Sequence, residues 1–249
     1  MQLSFLTWAE AQAAIEKSAL VIVPIGSTEQ HGPNGLIGTD ALNAEAVSIA
    51  VGRATDTIVA PVISIGMAQH HLAFAGSITL RPSTMIAFVC DYVFSLARHG
   101  VRKFFFINGH GGNIAPLSAA FSEIYAAASL DPAGQVPRLR CVQHNWFDQP
   151  AVKAYDGPAF GERNGSHATA AEVSLTQHLF PDAIKRVTMA PVVPTKRRFT
   201  DARDFRALHP DGRIGAEPSL ATPAHGKALF DAAVGDLSAA VRAFAADPI

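Results

Sequence analysis

Cysteine and charge are both scarce in this sequence. Only Cys90 and Cys141 occur, each in an apolar stretch, so both read as small buried hydrophobes and no disulfide framework organises the chain. Charged residues make up 16% of the 249 positions and the formal net charge is −1. Without a basic excess there is no electrostatic case for nucleic acid. Long apolar runs are also missing. Thr57 to Leu80 contains no Asp, Glu, Lys or Arg, yet Pro61, Gly66, Gln69, His70, His71 and Gly76 interrupt it. A membrane span needs about 20 predominantly apolar residues. The opening MQLSFLTWAE has neither the basic segment nor the apolar core of a secretory signal. The expectation is a soluble, cytoplasmic protein with no membrane partner. At 49% hydrophobic it can bury a sizeable core and is not a disordered chain. No internal repeat or low-complexity linker divides it, so residues 1–249 read as a single domain.

The periodicity alternates between strand and helix. Trp8 to Lys17 reads as a helix and Leu20 to Ile25 as a buried strand. A helix over Asp40 to Arg53 follows, with Thr39 as its expected N-cap, then a strand over Thr57 to Val62. Ser83 to His99 has apolar residues at helical spacing and Gly100 as its stop. Lys103 to Ile107 and Arg138 to Gln143 read as strands, and Ile114 to Ser129, Ala170 to His178 and Pro223 to Ala245 as helices. Such alternation predicts an α/β fold of three layers, α/β/α, around a mostly parallel central sheet. Ile184 to Leu220 is the exception, rich in Pro, Arg and Gly without clear period. Irregular segments of this length tend to be functional. Its Lys196, Arg197 and Arg198 can bind an anion, although such a run is more often a solvated face, here balanced by Asp201 and Asp204.

Three polar clusters follow apolar segments. After the first strand come Glu29, His31 and Asp40, two carboxylates and an imidazole that suit a divalent metal. Glu29 and His31 share a face if the segment is extended. After the KFFFI strand comes Asn108-Gly109-His110-Gly111-Gly112-Asn113. It can hold His110 as a ligand or be a structural turn. As a phosphate loop it lacks the Lys-Ser/Thr pair and the dinucleotide glycine spacing. The third cluster places His167 before a helix that carries Glu172 one turn on. His167 suits general acid/base work, while taken alone both are more often surface residues. Loops at the carboxyl ends of parallel strands are where such sheets build sites, and all three clusters fall there.

The run GSTEQHGP followed by TD, then NGHGGN, then His-Ala-x-x-x-Glu-x-Ser, resembles the creatininase (creatinine amidohydrolase) family. GMAQHHLAFAGSITL and GRIGAEPSLAT extend the likeness over nearly the whole chain. The resemblance implies the three-layer fold, two divalent metal ions per chain (zinc first, manganese or iron as alternatives) and a homo-oligomer, a hexamer built as a trimer of dimers. Carried over residue by residue, Glu29 and His110 would bind one metal, His31 the other, and Asp40 would bridge them. Creatininases proper have a Tyr and a Glu after the motif histidine, where this chain has Gly111 and Gly112. That departure argues against creatinine as substrate and leaves a ligand to be supplied, which we assign to Glu172. NGHGGN resembles instead the branch with a formamide deformylase, a peptidase and cyclic keto-sugar hydrolases. The implied activity is metal-assisted hydrolysis of a C–N bond in a small amide or cyclic amide, with His167, and alternatively Glu172, as acid/base. His71 matches a family histidine and can line the substrate mouth, whereas His70 stands in place of an acidic residue. Trp146 with Phe147 can stack on a ring substrate, though an aromatic pair is more often core. Arg163 stands where creatininase has a tryptophan and can pair with a substrate carboxylate or phosphate. A non-catalytic metal protein and a nucleotide-binding module are the competing classes.

Overall fold

The computed structural model describes residues 1–192 and 197–249. Four parallel strands, β1 (Leu20–Ile25), β2 (Ile58–Val59), β3 (Lys103–Asn108) and β4 (Arg140–Asn145), run in the order β2-β1-β3-β4. Eight α-helices are described: α1 (Trp8–Lys17), α2 (Thr39–Thr55), α3 (Pro82–Arg98), α4 (Ile114–Ser129), α5 (Pro150–Phe160), α6 (Ala170–Leu179), α7 (Ala202–Leu208) and α8 (Pro223–Ala246). No helix among the described residues is long and apolar enough to cross a membrane.

The two central strands are apolar on both faces, and their alternation sorts the helices into layers. Val21, Val23, Ile25, Phe104 and Phe106 join one core with Ala14 and Ile15 of α1, Val89 and Val93 of α3, and Leu117 and Ile124 of α4. Leu20, Ile22, Phe105 and Ile107 point the other way, onto Val47 of α2, Val152 of α5, Leu175 of α6 and Leu229 of α8. The result is the predicted three-layer α/β arrangement. β1 and β3 pair in register from Leu20 with Lys103 to Ile25 with Asn108, so both strands end at one level.

Several boundaries differ from the sequence reading. Gly38 caps α2 and Thr39 is its first residue, its hydroxyl donating to the Leu36 carbonyl at 2.6 Å. The strand expected over Thr57 to Val62 is only Ile58–Val59, and past it pairing with β1 continues only as the Ala60 amide to the Ile22 carbonyl at 2.9 Å and an isolated bridge at Ile63. β4 lies two residues later than expected. Helix α5 lies where the sequence reading assigns no element, and it runs across Gly157 and Pro158. It starts on Pro150 at its N-terminus and buries Val152, Asp156 and Phe160, four residues apart. In the irregular late stretch, Asp201 caps α7 by accepting from the Arg203 and Asp204 amides at 2.9 Å. Asp204 meets Arg197 at 3.2 Å. Lys196 lies outside the described residues, so the anion-binding reading of that run is left there.

Candidate active site

The equal ends of β1 and β3 launch the loops that carry the chemistry. The β1 loop bears Glu29, Gln30 and His31 and ends at α2, whose first turn holds Asp40. The β3 loop bears His110. Gly109 lets these pieces meet, since a Cβ there would collide with the Asp40 carbonyl oxygen. The flanking asparagines fix the turn. Asn108 accepts from the His110 amide at 3.1 Å and donates to its carbonyl at 2.7 Å, while Asn113 donates to the Gly26 carbonyl at 2.9 Å. Asn113 also accepts from the Met67 amide at 3.1 Å, tying in the loop that carries His70 and His71.

Glu29 is fully buried and His31 and Asp40 nearly so. His31 Nε2 lies 2.9 Å from Asp40 Oδ1 and 3.9 Å from Glu172 Oε1. His110 Nδ1 lies 3.1 Å from Asp40 Oδ2, and its Nε2 lies 3.3 Å from Glu29 Oε2. His71 Nε2 and His167 Nδ1 approach Glu29 Oε1 at 3.2 and 3.7 Å. Donor atoms of Glu29, Asp40 and His110 fall within 4.8 Å of one another, and so do those of His31, Asp40 and Glu172. A third such group joins Glu29, His31 and His167. Glu29, His31 and Asp40 each belong to two of the three.

This donor set fits divalent cations. Both Glu29 oxygens and Asp40 Oδ2 are buried and lack hydrogen-bond partners among the described residues, which is costly unless a cation answers them. The two imidazoles nearest Asp40 are braced from outside: His31 Nδ1 lies 3.0 Å from the Glu29 carbonyl and His110 Nε2 3.0 Å from that of Met67. Each therefore donates outward and turns its other nitrogen towards the carboxylates, the usual second-shell support of a ligand histidine. Without a metal, protons take the cations' place. Burial alone would depress His31, but Asp40, Glu172 and Glu29 outweigh it and raise it to about 10. His110, opposed by burial and favoured by Glu29 and Asp40, rises to about 9. Burial would raise Asp40 too, yet His31 and His110 hold it below the usual carboxylate range. Burial pushes Glu172 up to about 7 against the pull of His31. His71 falls to about 3, through burial and then the charges on His31 and His110. Burial and the neighbouring His31 and His71 keep His167 well below its ordinary value.

A cavity of about 350 Å³ opens beside the cluster, lined by His71, His110, His167, Glu172, Trp146 and Lys153 among others. Trp146 and Phe147 both face it, the tryptophan also filling the core beneath. Arg163 is not brought to the cavity; its side chain is mostly exposed and meets Glu217 at 3.8 Å. His70 lines the cavity and stacks on Phe199 with ring centroids 5.0 Å apart. Gly112 has no room for a side chain, since a Cβ there would collide with His110 Nε2 and the Met67 carbonyl, whereas Gly111 faces open space. A glutamate at position 112 is therefore sterically barred in this arrangement. Glu172 also carries a structural duty. Its side chain accepts from the Thr169 amide at 2.5 Å while the Thr169 hydroxyl accepts from the Glu172 amide at 3.1 Å, a capping box that starts α6. Three contributors escaped the sequence reading: Gln30, Asn108 and Asn113. Their only signal was adjacency to the motif histidines.

A parallel α/β sheet with buried carboxylates and imidazoles gathered at its carboxyl edge defines an α/β enzyme with a candidate divalent-metal centre. Residues 4–241 match the family model described as Creatininase: Creatinine amidohydrolase. The chain belongs to the creatininase family and is a hydrolase. It is 29% identical over 233 residues to a mycofactocin precursor peptide peptidase of Mycobacterium ulcerans, covering 87% of this chain and 82% of that one. It is 28% identical over 184 residues to a 3-dehydro-scyllo-inosose hydrolase of Thermotoga maritima, covering 71% and 55%. Among solved structures, a creatinine amidohydrolase (creatininase) superposes with a TM-score of 0.85 at 24% identity over 99% of this chain and 98% of that one, a likeness of fold.

Proposed function

We propose that this chain, acting as one catalytic domain, is a binuclear metal-dependent amidohydrolase that cleaves the C–N bond of an amide or cyclic amide. The observation that carries the reading is Asp40, a buried carboxylate whose two oxygens lie 2.9 Å from His31 and 3.1 Å from His110, beside a fully buried Glu29. In this reading Glu29, Asp40 and His110 hold one cation, and His31, Asp40 and Glu172 hold the other. Zinc suits the mixed imidazole and carboxylate donors, with manganese or iron as alternatives. Divalent cations there would polarise a substrate carbonyl and lower the pKa of water. His167, buried and neutral at the cavity wall, carries the proton to the leaving nitrogen. His71 narrows the mouth, and Trp146 with Phe147 offers an aromatic wall to the substrate. Glu172 has the competing role of acid/base. The barred side chain at position 112 favours a substrate other than creatinine.

A peptidase is the second reading, favoured by the 29% identity to a peptide-cleaving relative. A formamide deformylase or a cyclic keto-sugar hydrolase would use the same cations on another carbonyl. A soluble cytoplasmic homo-oligomer, built as a hexamer, completes the proposal on family grounds. Metal analysis of purified protein, run beside a screen of lactams, formamides, short peptides and cyclic ketones, tests the whole. Two metals per chain with turnover of a lactam or other amide supports the leading reading. Cleavage of peptides, formamides or ketones alone selects one of the alternatives. Protein that takes up no divalent metal refutes both.

A further inference from the structure

The Gln30 side chain sits between two active-site imidazoles, and backbone groups settle its orientation. Its Oε1 accepts from the Gly32 amide at 2.8 Å, and its Nε2 donates to the Gly212 carbonyl at 3.0 Å. An amide N–H can only donate and a carbonyl can only accept, so the reverse orientation would set like against like at both ends. Gly212 is needed for this approach, with φ +87° and a Cβ position that would overlap the Gln30 carboxamide.

One amide hydrogen remains for two candidate acceptors. Gln30 Nε2 is 2.9 Å from His71 Nδ1 and 2.8 Å from His167 Nε2. His167 Nε2 also lies 2.8 Å from the main-chain oxygen of Gln30, which demands a hydrogen. His167 therefore carries its proton on Nε2 and has no lone pair there for the amide. The remaining amide hydrogen goes to His71 Nδ1, so His71 carries its proton on Nε2, facing Glu29 Oε1 across 3.2 Å. His167 Nδ1 is left bare, 3.7 Å from the same carboxylate oxygen. Ala168, next in the chain, is held at φ 56°, an unusual conformation for a residue with a side chain. An antiparallel bridge from His167 to Ile214 braces the same loop, so the ring's placement is built in.

We infer that Gln30 is a positioning residue: its side chain sets the tautomer of His71, and its main-chain oxygen sets that of His167, whose Nδ1 faces the reaction as a proton acceptor. Resting on the amidohydrolase reading, the proton balance follows. His167 Nδ1 takes a proton from the attacking water as its oxygen bonds to the carbonyl carbon. It returns that proton to the leaving nitrogen as the C–N bond breaks, and the ring ends as it began.

The test is 15N NMR of histidine-labelled full-length protein, with and without divalent metal, assigned through His71→Asn and His167→Asn variants. In the metal-free wild type, both rings are expected to carry hydrogen on Nε2 and a bare Nδ1. Gln30→Glu keeps the shape but replaces the donor, and should shift His71 to the Nδ1–H form. Gln30→Met, which adds no charge, should leave His71 with mixed tautomers while His167 keeps Nε2–H. For Gln30→Glu, kcat on any substrate found should drop about 10- to 100-fold, with KM and metal content retained, and by less for Gln30→Met, whose His167 keeps its tautomer. A wild-type His167 protonated on Nδ1, or a His71 tautomer unmoved in both variants, overturns the inference. Correct tautomers in a protein that cleaves no C–N bond would instead sink the proposed function and leave the Gln30 assignment standing.

Discussion

Asp40→Asn is the most discriminating perturbation of the proposed centre. The change keeps the shape but removes the one carboxylate whose oxygens lie 2.9 Å from His31 and 3.1 Å from His110. A structural zinc site of four donors binds with about 10–16 kcal/mol, which is about 3 kcal/mol per donor, or roughly 100-fold in affinity. A terminal ligand would impose that loss at one site, whereas a shared one imposes it at both. His31→Ala and His110→Ala should each cost one metal, and Asp40→Asn should cost two. The apo fold should suffer less than the burial suggests. His31 and His110 are charged largely because of the carboxylates around them, and with Asp40 neutralised they can shed protons rather than stay buried as orphan cations. We expect an apo destabilisation of about 1–3 kcal/mol, the usual cost of a broken buried polar contact. Metal content by plasma mass spectrometry after gel filtration, beside urea melts of the metal-free proteins, reads both quantities. An Asp40→Asn protein that keeps two metals, or loses only one, refutes the shared-ligand reading.

His167→Asn should lower kcat by roughly 10²- to 10⁴-fold with metal content intact, and loss of a metal would reassign His167 as a ligand. Metal uptake at pH 7 should release protons, because His31 and His110 hold theirs up to about 10 and 9; calorimetry in two buffers of different ionisation enthalpy measures the number, and zero would contradict the cluster's charge state. Above pH 7 the metal-free fold should lose stability as pH rises: groups with raised folded-state pKa stabilise fully below their unfolded values, and the contribution fades between 6.5 and about 10 for His31 and between 6.5 and about 9 for His110. Melting temperatures of metal-free protein that do not fall from pH 7 to 10 would exclude this. Gly112→Ala should displace His110 and cost one metal while Gly111→Ala costs nothing, and equal behaviour of the two variants would show that the turn is not tightly packed.

Much of this molecule is legible along the chain. Strands buried on both faces are continuous apolar runs, so Leu20 to Ile25 and Lys103 to Asn108 announce themselves, and their carboxyl ends mark where reactive groups collect. The types of residue at 29, 31 and 40 pointed to a cation, whereas His110, His167 and Glu172 stood out only through their shared loop positions and the family resemblance. Local sequence is weakest where long-range contact decides. Helix α5 forms across Gly157 and Pro158 because Val152 and Phe160 find a buried surface under α8. Nor does the sequence show that Arg163, read there as able to pair with a substrate carboxylate or phosphate, lies beside Glu217 and outside the cavity lining.

Short-range periodicity thus determined the class of fold, and residue chemistry together with the family motifs the candidate donors, since all are read from neighbours a few positions apart. Only the tertiary structure decided which donors share an ion's reach, that position 112 admits no side chain, and that Gln30 reaches two imidazoles and Gly212 across 41, 137 and 182 positions of chain. Those are distances between groups remote in sequence, set by register and packing, and no linear pattern encodes them.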